Sequence, residues 1–291
     1  MHFTKPTFLI NEESCKCNIR RMAQKAKKSN VSFRPHFKTH QSADVGEWFR
    51  ENGVHKICVS SVDMARYFAN HGWNDILIAF PVNPLEIAAI NSLASQINLF
   101  LTVESMYTAR FLSKHLKSKV GIYIEIDTSY HRTGVSPGQL EQIDQILEII
   151  STAENMFFEG FFSHYGETYK SKGESEIRSH FNNNMEWLLK LKTRYKPKYP
   201  QLTISIGDTP SCSVMDRFDG VDEIRPGNFV FFDVMQHFIG SCEIADIAAA
   251  MVCPVVAVYP ERNEIAMYGG AVHLSKESVI DANGNAIYGL V

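Results

Sequence analysis

Short runs of β-branched and aromatic residues recur along the chain, separated by stretches whose apolar residues fall at helical spacing. The first four runs are "VSFRPHF" from Val31, "KICVSS" from Lys56, "DILIAF" from Asp75 and "INLFLTV" from Ile97. The next four are "VGIYIEI" from Val120, "MFFEGFF" from Met156, "LTISIG" from Leu202 and "DEIRPG" from Asp222. Each is of strand length and ends in turn chemistry, and strands that alternate with helices imply a parallel sheet. Eight such units predict an α/β fold, a (β/α)8 TIM barrel, rather than an open doubly wound sheet with a glycine-rich first turn.

The helical stretches carry start signals. In "SPGQLEQIDQILEII", Ser136 is placed to cap, Pro137 suits the first helical position and Gln139 completes a capping box; Leu140, Ile143, Leu147 and Ile150 then form one apolar face. After about residue 240 the texture changes to apolar runs joined by turns at "PERN" and "ANGN", with no helices between. The predicted organisation is a barrel over residues 12–238 and a β domain over 239–291, which residues 1–11 could join. The chain stops at Val291 inside an apparent strand, so this β domain is expected to be incomplete.

Composition narrows the function. The 291 residues are 45% apolar, enough for a large core, and 29 basic against 32 acidic side chains give a net charge of -3. Nothing in that balance points to nucleic acid or an anionic membrane; a small-molecule site is expected instead. The N-terminal stretch lacks a basic head with an apolar run, and no window reaches a membrane-spanning length, so a cytoplasmic protein is expected. Six cysteines, with no CxxC pair, are expected to be free thiols.

The stretch "SFRPHFKTHQ", residues 32–41, carries the candidate chemistry. With period two, Val31, Phe33, Pro35 and Phe37 share one strand face and Ser32, Arg34, His36 and Lys38 the other, which points into the barrel. Lys38 then stands at the carboxyl end of a barrel strand, where such barrels keep their active sites. Burial and neighbouring cations, with Arg34, His36 and His40 as candidates, would lower its pKa and free an amine for Schiff-base chemistry. Taken alone, the stretch fits equally a loop lysine whose ammonium reaches solvent.

Five motifs occur together in one order: "RPHFKTHQ", "IEIDTSYHRTGV" at 124–135, "SHYGETY" at 163–169, "SIGDTPSC" at 205–212 and "EIRPGNFVFFD" at 223–233. This set resembles the fold-type III pyridoxal phosphate (PLP) enzymes, in the branch of D-threonine aldolase and D-serine dehydratase, with alanine racemase as a more distant relative. The resemblance implies that Lys38 forms the Schiff base with PLP, which serves as electron sink for a carbanion at the substrate's α-carbon. It implies that Arg132 approaches the cofactor's phenolic oxygen, unless it pairs with Asp127, and that His164 lies against the pyridine ring, unless it is a core residue. Tyr169 fills the position of an active-site tyrosine.

The loops "GDTPS" and "RPGN" follow the last two barrel strands, where phosphate is often held. Gly207, Thr209, Gly227 and Asn228 are implied to hold the cofactor phosphate; the alternative is a pair of tight turns. Asp208 departs from the pattern, because a carboxylate beside a phosphate repels it unless the side chain turns away. The resembled branch also holds a divalent metal through a His-x-Cys or His-x-Asp pair, which does not occur in the sequence, so no metal ligand is assigned. The implied function is a PLP-dependent lyase on a D-amino acid, a β-hydroxy one, by retro-aldol cleavage or loss of water, working as a homodimer. The rivals are an amino acid racemase, a PLP-binding protein without catalysis, and a barrel enzyme in which Lys38 reacts with substrate directly.

Overall fold

The computed structural model describes residues 2–281 and 283–291. Its elements run β1 (Thr7–Ile10), α1 (Glu12–Lys28), β2 (Ser32–Phe33), α2 (Ala43–Arg50), β3 (Ile57–Val59), α3 (Val62–Asn70), β4 (Asp75–Pro81), α4 (Ile87–Ala94), β5 (Asn98–Val103) and α5 (Met106–His115). They continue with β6 (Val120–Glu125), α6 (Leu140–Thr152), β7 (Met156–Ser163), α7 (Glu174–Tyr195), β8 (Thr203–Ile206), α8 (Thr209–Val214), β9 (Glu223–Ile224) and α9 (Val234–Phe238). Five further strands close the chain: β10 (Ala249–Val252), β11 (Val255–Tyr259), β12 (Glu264–Met267), β13 (Val279–Ile280) and β14 (Ala286–Ile287).

All eight predicted barrel strands are present, as one parallel sheet in the order β2-β9-β8-β7-β6-β5-β4-β3. The sheet curls until its ends meet: the Phe37 N–H donates to the Cys58 carbonyl at 2.8 Å and the Cys58 N–H donates to the Pro35 carbonyl at 2.9 Å. This curled parallel sheet is of the TIM-barrel type, with helices on its outside because each parallel crossover needs one.

Side-chain alternation divides the core into two layers. Phe37 faces outward into a nest of Phe49, Phe68 and Trp73, with ring centroids 4.9 to 5.0 Å apart. Each of these rings is fully buried, a contribution of about 2–3 kcal/mol per side chain that pins α2 and α3 to the sheet. Inside the barrel, Cys58, Leu77, Ala79, Phe100, Tyr123 and Phe162 form a separate apolar cluster. The rest of the interior is polar. Arg34 donates through Nε to Glu223 at 2.8 Å and through Nη1 to Asp75, and Tyr123 adds its hydroxyl to Glu223 at 3.3 Å.

One expectation needs correction. The helix after "SPG" begins at Leu140, not at Pro137: residues 137 and 138 form a turn, and Gln139 Oε1 accepts from the Ser136 N–H at 3.2 Å without a reciprocal Ser136 cap. Ile143, Leu147 and Ile150 nevertheless bury as the periodicity requires. The region after residue 240 forms strands but not a packed second layer among the described residues. β1 pairs antiparallel with β10, β11 with β12, and β13 with β14, as three separate two-stranded pieces. The β1–β10 pair does join residues 7–10 to this region. The "PERN" turn closes the β11–β12 pair with Asn263 at φ 53°, while Ala282 of the "ANGN" turn lies outside the described residues. Val256, Val258, Val272 and Ile280 stay exposed.

Candidate active site

A cavity of about 230 Å³ opens at the carboxyl end of the barrel strands, lined by the ends of β2, β7, β8 and β9. Six of the eight residues singled out from the sequence line it: Lys38, His164, Tyr169, Gly207, Gly227 and Asn228. His36, Thr39, Asp208 and Arg225 complete its wall. Thr209 sits just behind, fully buried, and ties the two loops together: its N–H donates to the Tyr169 hydroxyl at 3.1 Å and its Oγ1 accepts from the Phe229 N–H at 3.3 Å. Arg132 stands apart on the rim, exposed, and shares a small crevice with His164 and Glu125. The alternative partner for Arg132 does not hold: Asp127 is taken by His131 at 2.9 Å.

The two glycines are where backbone has to come close. A Cβ on Gly207 would stand 2.9 Å from the Cβ of Arg225, and one on Gly227 would stand 2.9 Å from the His36 carbonyl oxygen. The backbone N–H groups of Gly227 and Asn228 have no acceptor among the described residues. Asp208, the departure from the resembled pattern, is turned away. It caps α8, with Oδ2 accepting from the Ser211 N–H at 2.7 Å and from the Thr168 hydroxyl at 2.9 Å. Burial raises its pKa to about 6, against the effect of these bonds.

Lys38 is exposed, but into this cavity. Burial lowers its pKa below the usual lysine value; Cys58 opposes the shift, and Arg132 and Arg225 reinforce it. The cations are therefore not those expected. Arg34 lies deeper, committed to Glu223 and Asp75. His36 is buried and held neutral, its pKa driven down by burial and then by Lys38 and Arg225. His40 packs against Phe37 and Phe49, with burial bringing its pKa to about 4.

His164 is likewise neutral, its pKa lowered to about 3 by burial and by Arg132. Its Nδ1 contacts the Gly207 carbonyl, an acceptor only, so Nδ1 carries the proton and Nε2 the lone pair.

Arg225 is the residue that sequence reasoning passed over, although it lies inside the "EIRPG" motif. It is buried at the cavity wall, donating from Nε to Ser205 Oγ at 2.8 Å and from Nη2 to the Ser163 carbonyl at 2.7 Å, with its guanidinium 3.5 Å from the centre of the Phe162 ring. Burial lowers its pKa, with Cys58 and Glu223 acting against that. The signal was available: Glu223 and Arg225 share strand parity, and Glu223 pairs in register with Ser205.

Two glycine-lined backbone approaches, unengaged N–H groups and the cations Lys38 and Arg225 suit a phosphate-bearing cofactor with a reactive carbonyl. Among the described residues no cluster of three or more His, Cys, Asp or Glu side chains is arranged to hold a metal ion, and no helix is long and apolar enough to cross a membrane.

Comparison with known proteins agrees with this geometry. The D-serine dehydratase of Dictyostelium discoideum is 30% identical over 94% of this chain and 74% of its own length. The D-threo-3-hydroxyaspartate dehydratase of Delftia sp. is 27% identical over 94% of this chain and 73% of its own. The solved structure of that Delftia enzyme superposes with a TM-score of 0.89, at 25% identity, over 98% of this chain and 80% of its own. Residues 10–234 match the family described as alanine racemase, N-terminal domain, and the chain belongs to that family.

Proposed function

We propose that this protein is a PLP-dependent dehydratase that removes water from a small D-β-hydroxy amino acid such as D-serine. The observation that carries the reading is Lys38, an amine of lowered pKa that faces a cavity walled by Arg225 and by the Gly207 and Gly227 backbone. Among the lyases on this fold, dehydration is favoured over aldol cleavage because the dehydratase relatives match 94% of the chain, whereas the D-threonine aldolase of Arthrobacter matches 78% at 23% identity.

PLP, when bound, withdraws electrons from the substrate's α-carbon. The chain's own residues supply the rest. Lys38 would hold the cofactor through its Nζ, and the same atom is placed to carry the substrate's α-proton. Gly207, Gly227, Thr209 and Asn228 hold the phosphate, with the free Gly227 and Asn228 N–H groups as donors. Arg132 and Arg225 bind anionic oxygen, and Arg225 does so from a fixed position because Ser205 and Ser163 hold it. The neutral His164 would lie beside the cofactor without adding charge, and Tyr169 braces the Thr209 turn. The overall reaction would release water from the β-carbon and, after hydrolysis, leave a 2-oxo acid and ammonia.

The reading extends to a barrel over residues 12–238, a β domain over 239–291 together with 1–11, a homodimer, and a cytoplasmic location that suits six scattered thiols. One solved D-threo-3-hydroxyaspartate dehydratase is a cysteine-to-alanine mutant in the metal-free form, so a divalent metal is proposed as a second cofactor, without ligands assigned in this chain.

The test is the visible spectrum of the protein with added PLP, for wild type and Lys38→Ala, before and after borohydride, followed by a product assay. A lysine-dependent band abolished by borohydride, with pyruvate and ammonia released from D-serine, is the expected result. Glycine and an aldehyde from D-threonine would replace dehydration by aldol cleavage, and a wild-type protein with no band would overturn the cofactor assignment.

A further inference from the structure

The loop that carries Arg132 leaves the end of β6 and folds back on it. Thr133 Oγ1 donates to Glu125 Oε1 and the Val135 N–H to the Glu125 carbonyl, both at 2.8 Å, and the Asp127 N–H donates to the Val135 carbonyl at 2.9 Å. These bonds tie down the two ends of the loop. Arg132 makes no hydrogen bond or ion pair among the described residues, so its place is set by how the middle of the loop is docked.

The middle rests on the segment between β7 and α7. Ser129 donates its hydroxyl to Glu167 Oε1, which also accepts from Nδ2 of Asn184, on α7, at 2.5 Å. Beside this bond the Tyr130 ring lies on Gly166: a Cβ at 166 would run into Cδ1, Cε1 and Cζ of the ring, well inside van der Waals contact. Gly166 is not in the left-handed region, so the ring, and not the backbone conformation, is what requires glycine there. Tyr130 also meets His164 edge-on, with ring centroids 6.0 Å apart, and its ring centre is 6.0 Å from the Arg132 guanidinium carbon.

We propose that the Tyr130 ring, seated on Gly166, docks the 127–135 loop at the barrel mouth and so positions Arg132 beside His164. The use of that position rests on the function given above, in which Arg132 binds anionic oxygen; the docking itself does not. The contact is made by ring carbons, so phenylalanine serves as well as tyrosine. Tyr130 is 36% exposed and adds little to the core, which separates its effect on the loop from an effect on the fold.

Four variants of the PLP-reconstituted full chain test the proposal: Tyr130→Ala, Tyr130→Phe, Gly166→Ala, and Tyr130→Ala with Gly166→Ala. Hydrogen exchange of the 127–135 amides reads the docking, and kcat/KM for D-serine reads its use. Tyr130→Ala is expected to exchange about tenfold faster and to lower kcat/KM by about tenfold at an unchanged urea midpoint, and Tyr130→Phe to restore both values. Gly166→Ala is expected to do the same in the wild-type background and to add nothing in the Tyr130→Ala background, where the ring it displaces is gone. Unchanged exchange in Tyr130→Ala would overturn the docking, and faster exchange with unchanged kcat/KM would overturn the positioning of Arg132. Equal losses from Gly166→Ala in both backgrounds would also overturn the proposal, because the glycine would then act through its own segment. A wild type without a PLP band would overturn the function given above and with it the use of Arg132, while exchange in Tyr130→Ala, which can be read without cofactor, would still decide the docking.

Discussion

Arg225 donates its Nε–H to Ser205 Oγ at 2.8 Å, and that same Ser205 oxygen donates onward to Glu223 Oε1 at 2.7 Å. One hydroxyl thus joins the cation at the cavity wall to the anion at the centre of the barrel, and all three side chains are buried.

Ser205→Ala cuts this link without changing charge. Arg225 keeps its bond to the Ser163 carbonyl, so the guanidinium remains near its place but loses one of the bonds that set its angle. The expected result is a visible cofactor band of normal intensity, kcat/KM lower by about tenfold, and a stability loss of about 1–2 kcal/mol in urea denaturation, the usual cost of removing a buried hydrogen-bond partner. Unchanged kcat/KM would remove Arg225's orientation from the mechanism.

Gly227→Ala tests the close approach at the second loop. The new Cβ would meet the His36 carbonyl at 2.9 Å and the His36 Cβ at 3.1 Å, both held by the barrel-closing segment, so the loop has to move outward. Overpacking of this kind costs about 1–3 kcal/mol. Equilibrium dialysis is expected to show PLP bound at least about tenfold more weakly, with Lys38 still able to form its band at saturating cofactor.

Asp208 gives a pH signature. Its carboxyl is raised by burial to about 6 from an ordinary value of 3.8, so the folded chain binds its proton more tightly than the unfolded chain does. The stability it contributes is therefore fully present below pH 3.8 and is lost as pH rises through 6. Asp208→Asn keeps an oxygen for Ser211 and Thr168 and places an amide where Oδ1 now has no partner. It is expected to stabilise the protein at pH 7 by about 2 kcal/mol and to give little gain at pH 4, read from urea midpoints at the two pH values. A gain of equal size at both would contradict the raised carboxyl.

The contrast between Lys38 and Arg225 shows how far sequence carried. The eight barrel strands were legible because each is a self-contained run of β-formers, and period two from Val31 put Lys38 on the inner face at the strand's end. The same period running from Glu223 would have placed Arg225 inside, but "DEIRPG" is the weakest of the eight runs, and the pairing that fixes it in the sheet comes from β8 and β2. Neighbours distant in sequence also decided which cations act on Lys38. Arg34 is four residues away yet bound to Glu223, whereas Arg132 and Arg225 arrive from β6 and β9 loops. The start of α6 failed for a local reason, since Pro137 and Gly138 are as good in a turn as in a first helical turn.

Arg34 and Glu223 make a buried pair, 2.8 Å apart with side chains 1% and 2% exposed, and its energetics separate structure from function. Attraction between the two charges is set against the cost of removing both from water, so the pair as a whole adds little, while breaking it strands a charge. Arg34→Met leaves the Glu223 carboxylate with only Tyr123 and Ser205 as donors and is expected to cost about 3–5 kcal/mol. Glu223→Leu strands Arg34 less severely, because Asp75 still accepts from it, so a smaller loss is expected. The double variant Arg34→Met with Glu223→Leu is expected to recover most of the first loss, as a positive coupling in a double-mutant cycle followed by urea denaturation. It should not recover activity, because Ser205 then loses the anion against which it holds Arg225. Recovery of stability and activity together would mean that the interior pair serves only the fold.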